Sequence, residues 1–185
     1  MRQNRFVVLL ILMLLLMVLS GCSPFKTQGP PMLEAANTSS QIVKYNVIRI
    51  IDGSTIVVDM NGKEQTIRYA MVEPPNKNDP KLNAHSKKYN ETLIQQSDGK
   101  VKLILDTAIK SQVKNPGVLI AYVILSNGKI ANEEMIRSGL AQVSEGIVSQ
   151  FKREGKDITE ALKKELQIVE STAKKKMIGI WKNHK

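Results

Sequence analysis

Two places in this 185-residue chain carry side chains whose types and spacing suggest chemistry. The first is Cys22, the only cysteine, which directly follows Leu19-Ser20-Gly21. Small residues at Ser20 and Gly21 let the chain enter a peptidase cleft, and the thiol supplies a nucleophile that can take a lipid. The second place runs from Asp52 to Asn76 and holds Asp52, Arg68 and Glu73. A guanidinium there can grip an anion, or it can be neutralised by the nearby Glu73. Asp52 stands in an Asp-Gly turn, where aspartate commonly bonds the turn's own amides. His85 and His184 have no His, Cys or acidic partner at metal-ligand spacing and are expected on the surface. No serine has a His and Asp arrangement around it, which excludes that class of hydrolase.

The chain ends narrow the setting. Arg2 and Arg5 precede an unbroken apolar run from Phe6 to Leu19. These fourteen residues fall short of the roughly 20 needed to span a bilayer and match the h-region of an export signal. With Cys22 they read as a lipobox, so residues 1–21 are expected to be a lipoprotein signal peptide and Cys22 the lipidated first residue of the mature chain. A lone cysteine also leaves no disulfide partner. A diacylglyceryl group meets the requirement for more than one acyl chain in stable anchoring. Residues 22–40, rich in Ser, Pro, Thr, Gly and Asn, are expected to be a flexible tether. Residues 41–185 are the size of one domain. The expected location is extracytoplasmic, with membrane lipid as the partner of Cys22.

Removing the signal leaves 25 Lys plus Arg against 17 Asp plus Glu, a net charge of +8. A surface of that sign attracts nucleic acid, anionic lipid or anionic wall polymer. General solubility explains the charge nearly as well, because the lysines are scattered.

The elements that must position Asp52, Arg68 and Glu73 come first in the domain. Val47 to Ile51, Thr55 to Met60 and Glu64 to Val72 read as β-type runs, separated by Asp52-Gly53-Ser54 and the hairpin signal Asn61-Gly62. Asn78-Asp79-Pro80 opens a helix from about Leu82 to Gln96, closed by Gly99. Val101 to Leu105 and Val118 to Leu125 read as two further strands. Asn132 reads as the N-cap of a short helix. Asp157 and Glu160 mark the start of a long helix whose stripe of Ile158, Ala161, Leu162, Leu166, Val169, Ala173 and Met177 faces a core, with Trp181 packing back on it. The expected fold class is α+β, mainly β: a five-stranded Greek-key barrel of the OB type with about three helices.

The order Val47-Ile48-Arg49-Ile50-Ile51-Asp52-Gly53-Ser54-Thr55, then Thr66-Ile67-Arg68-Tyr69-Ala70-Met71-Val72-Glu73-Pro74-Pro75-Asn76, resembles the staphylococcal nuclease (thermonuclease) family. The likeness extends from about Val43 to Trp181, with support from Asn132-Glu133, Gly139-Leu140-Ala141 and Ile180-Trp181. It implies a site at the barrel mouth, where the family holds a calcium ion on two aspartates and a carbonyl. A glutamate orients water there, and two arginines grip the phosphate.

Several of those groups are replaced here. The family's Asp-Gly-Asp-Thr reads Asp52-Gly53-Ser54-Thr55, and its Asp-Thr-Pro-Glu reads Glu73-Pro74-Pro75-Asn76. A serine hydroxyl ligates a hard dication weakly, and Asn76 cannot take a proton. Val118 stands where the family has its second arginine, and Glu145 and Ile147 follow the motif where it has nucleotide-packing tyrosines. Arg68 is the retained phosphate-side arginine, and Arg68, Glu73 and Asp52 are the candidate ligand-binding residues. No metal ligand is assigned beyond Glu73 and Asp52, and calcium is expected only if the chain is a nuclease. Losing one anion-stabilising donor costs about 100- to 1,000-fold in rate and a general base about 100- to 10,000-fold. The resemblance thus predicts a pseudoenzyme that binds a polyanion, nucleic acid or wall polymer, or else a protein partner. Two alternatives stand beside it: a divalent-metal-dependent endonuclease using Asp52, Glu73, Asp79 or a neighbouring acid, and an envelope scaffold without a ligand.

Overall fold

A computed structural model describes residues 43–76, 78–106, 117–144, 150–153 and 156–182. The apolar run, Cys22 and the tether fall outside these residues, as do Asn115, Pro116, Glu145, Ile147 and His184. Among the described residues no helix is long and apolar enough to cross a membrane.

β1 (Tyr45–Asp52), β2 (Thr55–Met60) and β3 (Lys63–Tyr69) form an antiparallel meander. Asn61 and Gly62 both take positive φ, and Met60 pairs with Lys63, as a two-residue hairpin requires. The third strand is shorter than expected. Met71 has φ 55°, which breaks the chain direction, and β4 (Val72–Glu73) leaves the barrel to pair with β7 (Gln142–Val143).

α1 (Pro80–Gln95) follows, its first turn capped by the Asp79 carboxylate, which accepts from Leu82 N at 2.9 Å. β5 (Lys100–Leu105) and β6 (Val118–Leu125) complete a closed barrel of order β1-β2-β3-β6-β5. Its one parallel pair is β3 with β6, and this sets Arg68 beside Ile120 and Thr66 beside Val118. The architecture is the expected five-stranded OB-type barrel, mainly β, with three α-helices among the described residues. Its interior is filled by Ile56, Val58, Ile67, Tyr69, Val101 and Val123 among others.

Two cap assignments need correction. α2 (Ala131–Arg137) starts one residue before Asn132, with Ile130 at the cap position and no side-chain cap. Asn132 turns inward instead: its Oδ1 accepts from Val123 N at 2.9 Å, and its Nδ2 donates to Ala70 O at 3.0 Å and Ala121 O at 3.3 Å. Fully buried backbone groups outcompeted the helix end for that amide. The small sheet β8 (Lys152–Arg153) with β9 (Lys156–Asp157) leads to α3 (Thr159–Lys175), whose cap position is Ile158. Asp157 holds Thr159 N at 2.9 Å from one residue further out.

Along the α3 stripe, Leu162, Leu166 and Ala173 are buried. Met177 is exposed, because the helix has already ended and φ there is 48°. A 3-10 turn (Gly179–Trp181) returns the buried Trp181 ring beneath Lys174, whose Nζ lies 4.5 Å from the ring centroid.

Candidate nucleic-acid interface

The β1–β2 turn is built from its own side chains. Asp52 Oδ1 accepts from Ser54 N at 2.7 Å and from Ser54 Oγ at 3.2 Å, so this carboxylate oxygen is committed to the turn. Asp52 O accepts from Asn90 Nδ2 at 2.9 Å, and Asn90 Oδ1 accepts from the Tyr69 hydroxyl at 2.8 Å. The amide of α1 thereby ties the turn to the barrel. Burial pushes the Tyr69 hydroxyl well above the ordinary phenol range, so it stays a proton donor to Asn90 at any physiological pH. A side chain at Gly53 would overlap the Ser86 hydroxyl of α1, so glycine allows the close approach of helix to turn. Ser54 is buried beneath these contacts.

Asn90 and Ser86 were not singled out from the sequence. Their signal was present: two polar residues at i, i+4 on the face that also carries Leu93 and Ile94, all buried.

Arg68 pairs across the sheet with Thr55, just after this turn. Its NH2 group donates to Glu73 Oε2 at 3.0 Å, and the two side chains are 38% and 45% exposed. Val118 pairs with Thr66, two residues along the parallel neighbour from Ile120, which pairs with Arg68, so the position expected to have lost an arginine carries an isopropyl group there. Asn76 is exposed, but its Oδ1 accepts from Asn78 N at 3.0 Å and its carbonyl accepts from Asp79 N at 2.9 Å. The amide is thus spent on shaping the loop into α1. Asp79 is occupied as the helix cap. His85 is exposed on α1.

These residues do not fit a calcium site. A hard dication takes 6–8 oxygen ligands, several of them carboxylate. Asp52 bonds its own turn, Glu73 faces a guanidinium, and Ser54 brings no charge. Among the described residues no three His, Cys, Asp or Glu side chains are grouped to hold an ion. What the rim offers is a half-exposed guanidinium with one ion-pair partner, which can accept a phosphate in place of, or beside, that carboxylate.

Comparison with known proteins bears on this geometry. The family model described as "Staphylococcal nuclease homologue" matches residues 66–183. The chain is 32% identical to a protein named Thermonuclease from Staphylococcus hyicus over 121 residues, 64% of this chain and 69% of that one. It is 32% identical to endonuclease YncB of Bacillus subtilis over 59% of this chain and 52% of the relative. With the SPbeta prophage-derived endonuclease YokF of the same organism it shares 30% over 69% of this chain, spanning 44% of that protein's length. The closed barrel, the strand order and the matched residues agree, and this chain belongs to the staphylococcal nuclease homologue family.

Proposed function

We propose that this chain is an extracytoplasmic binding module of the nuclease family, tethered to the membrane through lipidated Cys22, that grips nucleic acid at Arg68 without cutting it. The observation that carries this reading is the Arg68–Glu73 pair: a part-exposed guanidinium beside carboxylates that each already have one oxygen bonded, in Asp52 to its own turn, in Glu73 to Arg68 and in Asp79 to the helix start. Phosphate recognition needs only such a cation and a net positive surface. Hydrolysis needs a base for water as well, and the candidate position, Asn76, carries an amide already bonded to its own loop.

Binding of fluorescent single-stranded DNA by the detergent-solubilised full chain tests the reading. Affinity should survive chelation of divalent cations. The salt dependence of log K should fall by about 0.7 in slope in Arg68→Ala, the share of one phosphate on a single strand. No binding to DNA or RNA at low salt removes nucleic acid as ligand. Binding to wall polymer alone would transfer the role to that polyanion, and copurification with an envelope complex without any polyanion affinity would favour a scaffold.

A second reading is favoured by the names of three relatives, each called a thermonuclease or an endonuclease. In it, a divalent metal ion would recruit Asp52, Glu73, Asp79 or a neighbouring acid after their present contacts break. Calcium-dependent digestion of single-stranded DNA that vanishes in Arg68→Ala would establish it.

A further inference from the structure

Six large apolar side chains are exposed among the described residues, and three belong to the nine residues 43–51: Val43 at 55%, Ile48 at 46% and Ile51 at 45%. The register with β2 explains why the two isoleucines are not in the core. Val47 opposes Val58 while Arg49 opposes Val57, and Ile50 opposes Ile56 while Asp52 opposes Thr55. At each step β1 carries one extra residue, and the extra residues are Ile48 and Ile51. A bulged residue is unpaired and its side chain is re-aimed away from the regular alternation. Scattered single apolar residues on a surface are ordinary, but two bulges that both present isoleucine on one strand form a repeated device.

Cations surround it. Lys44 is exposed beside Val43, Arg49 is exposed between the two isoleucines, and Lys100 of β5 is exposed opposite Asn46. Among the described residues Arg49 pairs with Glu64, both exposed, and such pairs contribute little in water. Apolar side chains that can enter the acyl boundary, set among lysine and arginine, are the composition of a surface lying on anionic lipid.

Taken with the proposed tether, the place of this strand in the chain points to the occupant. Val43 lies about 20 residues after Cys22, and the tether of the proposed function would at that length have an r.m.s. span of about 25 Å. A domain held so close to a bilayer meets it at millimolar-scale effective concentration, so weak contacts suffice.

We propose that the outward side of β1, through Val43, Ile48 and Ile51 with Lys44, Arg49 and Lys100, docks on the anionic lipid surface to which Cys22 tethers the chain. The inference rests on the tether in the proposed function and extends it by fixing which strand meets the membrane.

Full-length lipidated protein in phosphatidylglycerol vesicles carrying doxyl-labelled acyl chains provides the test. Lipidation converts the Cys22 thiol to a thioether, so Ile48→Cys, Ile51→Cys and, as a control on exposed α3, Ile168→Cys each offer a single labelling site for a fluorophore. The positions are exposed, so the label does not require the core to open. Flotation with the vesicles and several-fold stronger quenching at positions 48 and 51 than at 168 is the expected result. Flotation with equal or no quenching overturns docking and leaves the tether standing. Failure to float removes the tether and the docking with it. The double change Ile48→Asp, Ile51→Asp should float as before while restoring proteolytic access to β1 on vesicles; unchanged access would also overturn the proposal.

Discussion

Replacing Glu73 by Gln separates a binding rim from a metal-dependent one, because the two predict opposite signs. Glu73 Oε2 sits 3.0 Å from the Arg68 guanidinium, with both side chains more than a third exposed. The bare attraction between unit charges at about 4 Å is about 1 kcal/mol in water and about 4 kcal/mol near a protein surface. Solvent screening and side-chain entropy reduce the net value of such exposed pairs to about 0–1 kcal/mol. Glu73→Gln therefore releases Arg68 at little cost to the fold and raises affinity for single-stranded DNA by at most about fivefold. Arg68→Ala removes a charge-assisted hydrogen bond to phosphate, about 1.5–3 kcal/mol, and should weaken binding by about tenfold or more. In the double variant the gain from Glu73→Gln must vanish, since no guanidinium remains to be released. Fluorescence anisotropy at low salt, with and without calcium, measures all four proteins. A loss of affinity in Glu73→Gln, or a loss of cutting, would mean that the carboxylate holds a metal ion, and the reasoning from the ion pair would fail.

Asn132→Ala strands the buried Val123 N–H and Ala70 carbonyl and opens a small void, so about 2–4 kcal/mol of stability should be lost in urea unfolding followed by Trp181 fluorescence; a loss under about 0.5 kcal/mol would refute the bridging role. Gly179 has φ 58°, and a side chain there would overlap the Gly139 carbonyl oxygen, whereas Gly62, at φ 79°, has open space around it. Gly179→Ala should therefore add about 1–3 kcal/mol of overpacking to the about 1–2 kcal/mol of left-handed strain that Gly62→Ala alone incurs, and equal urea midpoints for the two would contradict the close approach. Burial raises the Glu133 carboxyl above its ordinary 4.5, with Arg137 opposing and Glu165 and Glu134 adding to the rise. The folded state then binds the proton more tightly than the unfolded chain. The stability from this group is complete below pH 4.5 and is lost as pH rises through the folded value. Glu133→Gln should thus gain stability relative to the parent as pH climbs from 4 to 7, and a constant difference in urea midpoint across that range would show no such linkage.

Barrel strands were legible because their signal is local: a β-branched run in Thr55 to Met60, a hairpin dipeptide at Asn61-Gly62, and apolar runs at 101–105 and 118–125 all lie within a few residues. The misread ends share one cause, which is that the deciding partner is remote in sequence. Asn132 has the chemistry of a cap, yet it serves backbone groups on β6 and after β3, the latter 62 residues away. Strand β4 depends on Val143, and no pattern within residues 64–72 announces that partner.

The same distinction governs the site. Arg68 with Glu73 is readable as a pair five residues apart, and Asp52 as a turn former, since each contact is nearly local. The contribution of α1 is not. Asn90 reaches Asp52 across 38 residues and Tyr69 across 21, and it converts a surface turn into a fixed one. That bracing has a functional consequence. A carboxylate that must swing from Ser54 to a metal ion would have to give up two hydrogen bonds in a turn held from behind by Asn90 and Ser86, and among the described residues no group of three acids is placed to receive the ion. A guanidinium at the rim needs no such rearrangement, because exchanging one exposed carboxylate for a phosphate keeps its hydrogen bonding and its charge balance. Rigidity behind Asp52 and freedom at Arg68 together favour a surface that holds a phosphodiester over one that assembles around an ion to break it.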